Sequence, residues 1–135
     1  MLRLLPRLLL VAIVVYVVIA LLQTLFLEVL LGGKVAPDAT IAIQLAGIAG
    51  TVVSGTVGGY LAARLGAKRP WLHGMAVLAP LLLDTVFVIT RSDDGHPLWF
   101  NLAGSTVLMA ATAFGCWLRV RTTRLPERRA QAPVA

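Results

Sequence analysis

Cysteine is almost missing from this chain: Cys116 is the single one in 135 residues. That excludes an internal disulfide and any metal framework built on paired thiolates. Charge is scarce too, at 13% of residues against 59% hydrophobic, and so little charge cannot cover a soluble domain of this length. Acids are the scarcer sign, six against twelve lysines and arginines. The sequence also lacks any long polar stretch, so an extramembrane domain has nothing to be built from.

What is present is apolar runs. Four of them, roughly 8–31, 39–63, 71–90 and 97–118, meet the ~20 residues that a spanning helix needs. The expected fold is all-α: a polytopic membrane protein with four transmembrane helices in an antiparallel bundle, arranged as two tandem helical hairpins. Residues 1–121 form one domain in this reading, and 122–135 a basic tail that is disordered beyond Pro126. Arg3, Arg7 and the small-residue pattern Val18-Ile19-Ala20 resemble parts of a signal peptide, but the apolar run continues to Leu31, so an uncleaved first span is expected.

Lysine and arginine set the orientation. Arg3, Arg7, Arg64, Lys68, Arg69, Arg119, Arg121, Arg124, Arg128 and Arg129 fall on one side, and only Lys34 and Arg91 on the other. The first side is read as cytoplasmic, with both termini. Tyr60, Trp71 and Trp117 mark that interface and Trp99 the opposite one. Arg64, Lys68, Arg69, Arg119, Arg121 and Arg124 are then basic anchors for anionic lipid headgroups, each contributing about 1 kcal/mol near such a leaflet. Cations held this close to a bilayer point to lipid and away from nucleic acid.

The few reactive side chains do not assemble into chemistry. His73 and His96 fall at opposite ends of spans and cannot share a ligand or a haem. Asp93, Asp94 and His96 read as turn and helix-capping residues, not metal ligands. Thr51, Ser54 and Ser105 have no histidine at matching depth, and Gly58-Gly59 lacks the strand and lysine of a phosphate loop. The sequence predicts no catalytic residue, no cofactor, no metal, and no enzyme.

Two acids interrupt the apolar runs, Glu28 in the first span and Asp84 in the third. An ionised carboxylate at membrane depth costs at least ~2.5 kcal/mol, which makes each a candidate site. Displacing the chain by 57 positions aligns Gln44-Leu-Ala-Gly47 with Asn101-Leu-Ala-Gly104, Gly58 with Gly115, Tyr60 with Trp117 and Arg64 with Arg121; with one gap, Glu28 aligns with Asp84. A parallel repeat of two hairpins would place Glu28, Gln44, Asp84 and Asn101 roughly 4 to 11 Å from the outer ends of their spans, as a polar ring.

The second span carries two ridges of small residues: Gly47, Thr51, Gly55 and Gly59 on one, Gly50, Ser54 and Gly58 on the other. Such spacing lets helix backbones approach closely in lipid, either within the chain or in a homodimer. Pro80, one turn before Asp84, removes the hydrogen bond to the Ala76 carbonyl and predicts a kink.

The stretch Gly58 to Gly74, with a Gly-Gly-x-x-Ala-Ala helix end at 58–63, a basic loop, and Leu72-His73-Gly74 at the next helix start, resembles small four-span bacterial inner-membrane proteins of unknown function. The resemblance implies the four-span fold and a bacterial inner membrane, and no activity. The chain is also similar to small multidrug-resistance transporters in span number, but Glu28 sits near a span end and the charge bias opposes dual topology. The leading expectation is an accessory or assembly subunit, or a homo-oligomer associating through the second span; the alternative is a small proton-coupled carrier using Asp84 and Glu28.

Overall fold

A computed structural model describes residues 4–36, 38–66, 69–90 and 97–130, with side chains described from residue 5 to residue 123 within those ranges. All regular structure among them is helical. Helix α1 spans Leu4–Thr24 and continues as a π-helical turn over Leu25–Leu30; α2 spans Ile41–Leu65, α3 Pro70–Thr90 and α4 Leu98–Ala130. All four are long and apolar enough to cross a membrane. Their outward faces carry large hydrophobic side chains such as Leu9, Leu21, Val53, Leu83, Phe87 and Phe114. A soluble protein does not expose apolar residues along every helix, so this is an integral membrane protein folded as a four-helix bundle.

The ends of the helices follow from local chemistry. The π-turn closes with Leu31 N–H donating to the Phe26 carbonyl (3.2 Å) and Gly33 N–H to that of Leu27 (3.0 Å). Gly32 and Gly33 then reverse the chain at φ +60° and +65°, a left-handed conformation that side chains disfavour. At its other end α4 runs past the apolar stretch of 97–118, its backbone helical to Ala130. Extending an existing helix needs no new nucleus, and the added Arg, Leu, Glu and Ala are good helix formers. Lys68 lies outside the described residues, as does the side chain of Arg124.

Packing is organised by α2. Its buried residues are all small: Gly47, Gly50, Thr51, Ser54, Gly55, Gly58, Gly59, Ala62 and Ala63. The two ridges face two different helices. A β-carbon at Gly50 would overlap the Phe26 ring, and one at Gly58 the Ile19 side chain, so this ridge receives α1 and its π-turn. A β-carbon at Gly55 would come within 2.8 Å of the Leu108 carbonyl oxygen and the Ala111 methyl, and one at Gly59 would overlap the Thr112 carbonyl, so the other ridge receives α4. Gly115 reciprocates, lying against the backbone of Thr56 and Tyr60. The homodimer alternative for these ridges therefore loses its surface, because both are covered by the same chain. In lipid this close approach replaces the hydrophobic drive that holds soluble helices together.

Helix α3 closes the bundle by touching α1, α2 and α4, whereas α1 and α4 do not meet. Gly74 on α3 receives Cys116, whose thiol donates to the Pro70 carbonyl (Sγ to O 3.6 Å). Val77 and Leu81 join Val11, Val15, Ile19, Ala62 and Leu108 in the core. The neighbour pattern of two hairpins is present in outline, but the repeat fails at side-chain level. Gly58 faces α1 while its counterpart Gly115 faces α2, and Gly47 abuts Val35 while its counterpart Gly104 has nothing within 4 Å of a β-carbon.

These contacts predict unequal costs for the same added methyl. Gly59→Ala should destabilise the bundle by about 1 to 3 kcal/mol because it pushes on backbone, Gly58→Ala by less because it meets a side chain, and Gly104→Ala by nothing measurable. Reversible unfolding in mixed micelles, followed by circular dichroism, checks the order.

Candidate intramembrane polar site

Depth in the bundle can be read from its basic end. There the Arg7 guanidinium donates to the Leu65 carbonyl (3.4 Å), which sets the beginning of α1 level with the end of α2. Tyr16, nine residues further along α1, is about 14 Å above that level at 1.5 Å per residue. Its phenol lies near the Asp84 carboxylate on α3. Asp84 is fourteen residues from the start of α3 and six from its end at Thr90, about 21 Å and 9 Å of rise, so it lies inside a ~30 Å hydrocarbon core, in the half away from the basic end.

Glu28 is elsewhere. It sits in the π-turn twenty-one residues beyond Arg7, about 30 Å from the basic end and hence at the far boundary. Its side chain is exposed, and its carboxylate lies against Gly33, where a β-carbon would be 3.0 Å from Oε2. Gln44, also near that boundary, donates through Nε2 to the Ala36 carbonyl (3.4 Å) and so ties the start of α2 to the preceding loop. Asn101 is half-buried one turn into α4. Glu28 and Asp84 thus differ in depth, because up to about 18 Å of helix separates Glu28 from the tyrosine that Asp84 contacts. Asp84 keeps the distance of about 9 Å from the end of its span that the sequence gives it, and Glu28 sits nearer the boundary.

Asp84 also faces outward. Its side chain is exposed on the bundle, beside Leu83, Val86 and Phe87, which are exposed as well. Pro80 lies within α3 without ending it, and Thr85, next to Asp84, turns its hydroxyl back to the Leu81 carbonyl (2.8 Å). Tyr16 carries the one polar contact described for the carboxylate. Sequence reasoning missed this tyrosine, although a lone phenol in the middle of an apolar span was the available signal.

The buried hydroxyls are spent on their own helices. Thr51 donates to the Gly47 carbonyl (3.0 Å), Ser54 to that of Gly50 (2.8 Å) and Thr112 to that of Leu108 (2.9 Å). Bonds of this kind satisfy a hydroxyl buried in lipid. His73 is buried near the basic end against Gly66; Nδ1 lies 3.0 Å from the Arg69 carbonyl and must be the protonated nitrogen, since a carbonyl only accepts, while Nε2 is buried without a partner. Among the described residues no three His, Cys, Asp or Glu side chains converge. The turn with Asp93, Asp94 and His96 lies outside the described residues.

At the basic end Arg119 stacks over Tyr60 at 5.8 Å and Arg121 over Trp117 at 5.1 Å. Arg64 and Arg69 are exposed. Arg69 borders an open groove of about 400 Å³ with Pro70, Trp71, Leu72 and Met75. No family model matches the chain, and no curated protein or solved structure is significantly similar to it.

The Tyr16–Asp84 pairing predicts non-additive variants. Tyr16→Phe and Asp84→Asn should each lower stability, and the double variant should fall short of their sum by about 0.5 to 2 kcal/mol. A double-mutant cycle of unfolding in bilayer discs measures this coupling.

Proposed function

We propose that this protein is a non-enzymatic accessory or assembly subunit of the bacterial inner membrane, with both termini on the cytoplasmic side, that docks to another membrane protein through the face of α3 bearing Asp84. The observation that carries this reading is the direction of that side chain. A carboxylate at membrane depth on the outside of a bundle is a costly group to leave facing lipid, and such groups are kept where they pair. The glycine ridges are occupied within the chain, so association falls to this face. On this reading the cations of the basic end, Arg64, Lys68, Arg69, Arg119, Arg121 and Arg124, meet anionic headgroups and hold the topology.

A second reading, a small proton-coupled carrier, is favoured by Tyr16 beside Asp84 one turn past Pro80, since ionisable groups at membrane depth mark ion and proton pathways. Outward exposure of Asp84 weighs against it.

Extraction in mild detergent with native lipid, followed by native electrophoresis, tests the first reading. Wild type should migrate well above the mass of one copy, and Asp84→Leu should shift it to a single copy; a wild-type chain that runs alone contradicts it. Growth of an Asp84→Asn strain under ion, proton and drug stress tests the second, which requires a defect.

A further inference from the structure

We propose that the occupant of the α3 face is a spanning helix of a different membrane protein, carrying a lysine or arginine at membrane depth that forms an ion pair with Asp84. This rests on the subunit reading above and names the chemistry of its partner. The inference starts from what the carboxylate lacks. An ionised carboxylate has roughly four acceptor positions; Tyr16 lies near that of Asp84, and the neighbouring Thr85 hydroxyl is turned away to Leu81. The rest of the group faces outward among Leu83, Val86 and Phe87, exposed by 70%, 57% and 51%. An apolar rim around one charge is the surface that a helix with a single matching charge would cover.

A second copy of this chain cannot supply the match. None of its four spans has a lysine or arginine in its interior: the cations lie at the basic end or, as Lys34 and Arg91, next to the opposite boundary. His73, the one histidine in a span, is buried at the basic end, eleven residues below Asp84. Copies related by symmetry through α3 would bring two carboxylates together. The missing cation must come from another chain.

The phenol has a defined part in this arrangement. Tyr16 is half-buried against the core and lies near Asp84, so it covers one side of the carboxylate and leaves the other outward. It is a positioning residue, and the partner's cation takes the open side. Arginine suits the site by its forked donors and lysine by its flexible reach.

The test uses the full chain in phosphatidylcholine vesicles with designed spanning peptides of leucine and alanine. One peptide has a central lysine, one a central glutamate, and one neither. Energy transfer between labelled peptide and labelled protein reads association. The lysine peptide should bind about tenfold more tightly than the uncharged one, and the glutamate peptide more weakly. Asp84→Asn should erase the preference while Asp84→Glu retains it, and helical circular dichroism shows that both variants are folded. Equal binding of lysine and uncharged peptides overturns the proposal, as does an unchanged preference in Asp84→Asn or self-association that the lysine peptide cannot displace. A native complex that persists without a lysine preference removes only the charge partner; a chain that runs as a single copy removes the subunit reading as well.

Discussion

Contact between the backbones of α2 and α4 is the constraint on which the bundle depends. In water, four helices of this length would be gathered by burial of leucine and valine. In lipid those side chains gain nothing by turning inward, and helix association must come from van der Waals packing and hydrogen bonds. Gly55, Gly59 and Gly115 let the two backbones touch without intervening side chains. With that distance fixed, α3 can reach α1, α2 and α4, and Gly74 can take Cys116. Residues with larger side chains at 55 and 59 would separate α2 from α4 and open the seam that α3 closes.

The same constraint decides what the protein offers to its surroundings. Small residues face inward and large apolar ones outward, an arrangement suited to a membrane. The buried hydroxyls in the spans are bonded to carbonyls of their own helices, and the basic end is organised by Arg7 on Leu65, Arg119 on Tyr60 and Arg121 on Trp117. Against this background Asp84 stands apart as a carboxylate at membrane depth that lies beside Tyr16 and faces out, and that exposed charge is what the functional proposal rests on.

Span number, approximate boundaries and the small-residue ridges were legible in the sequence because each depends on local composition and on helical periodicity. The partners of the ridges were not, since Gly58 and Gly59 are adjacent in sequence yet face α1 and α4. Within the polar ring, Asp84 keeps the distance of about 9 Å from the end of its span that the sequence gives it, and Glu28 sits nearer the boundary. The π-turn at Leu25–Leu30 had no sequence signal of its own; no proline or glycine interrupts that segment. Nor did the tail's proline stop α4, whose backbone is helical to Ala130.

The central claim is that the glycine face of α2 is closed by the chain's own α4. Paired cysteines test it most directly. In a Cys116→Ser background, Tyr60→Cys and Arg119→Cys place one thiol on each side of the α2–α4 seam, where the Arg119 guanidinium lies 5.8 Å from the Tyr60 ring. A short, reducible thiol crosslinker in native membranes should join the two within one chain, seen as a faster-migrating monomer that reverts on reduction. Covalent dimers formed in place of that monomer would contradict the account.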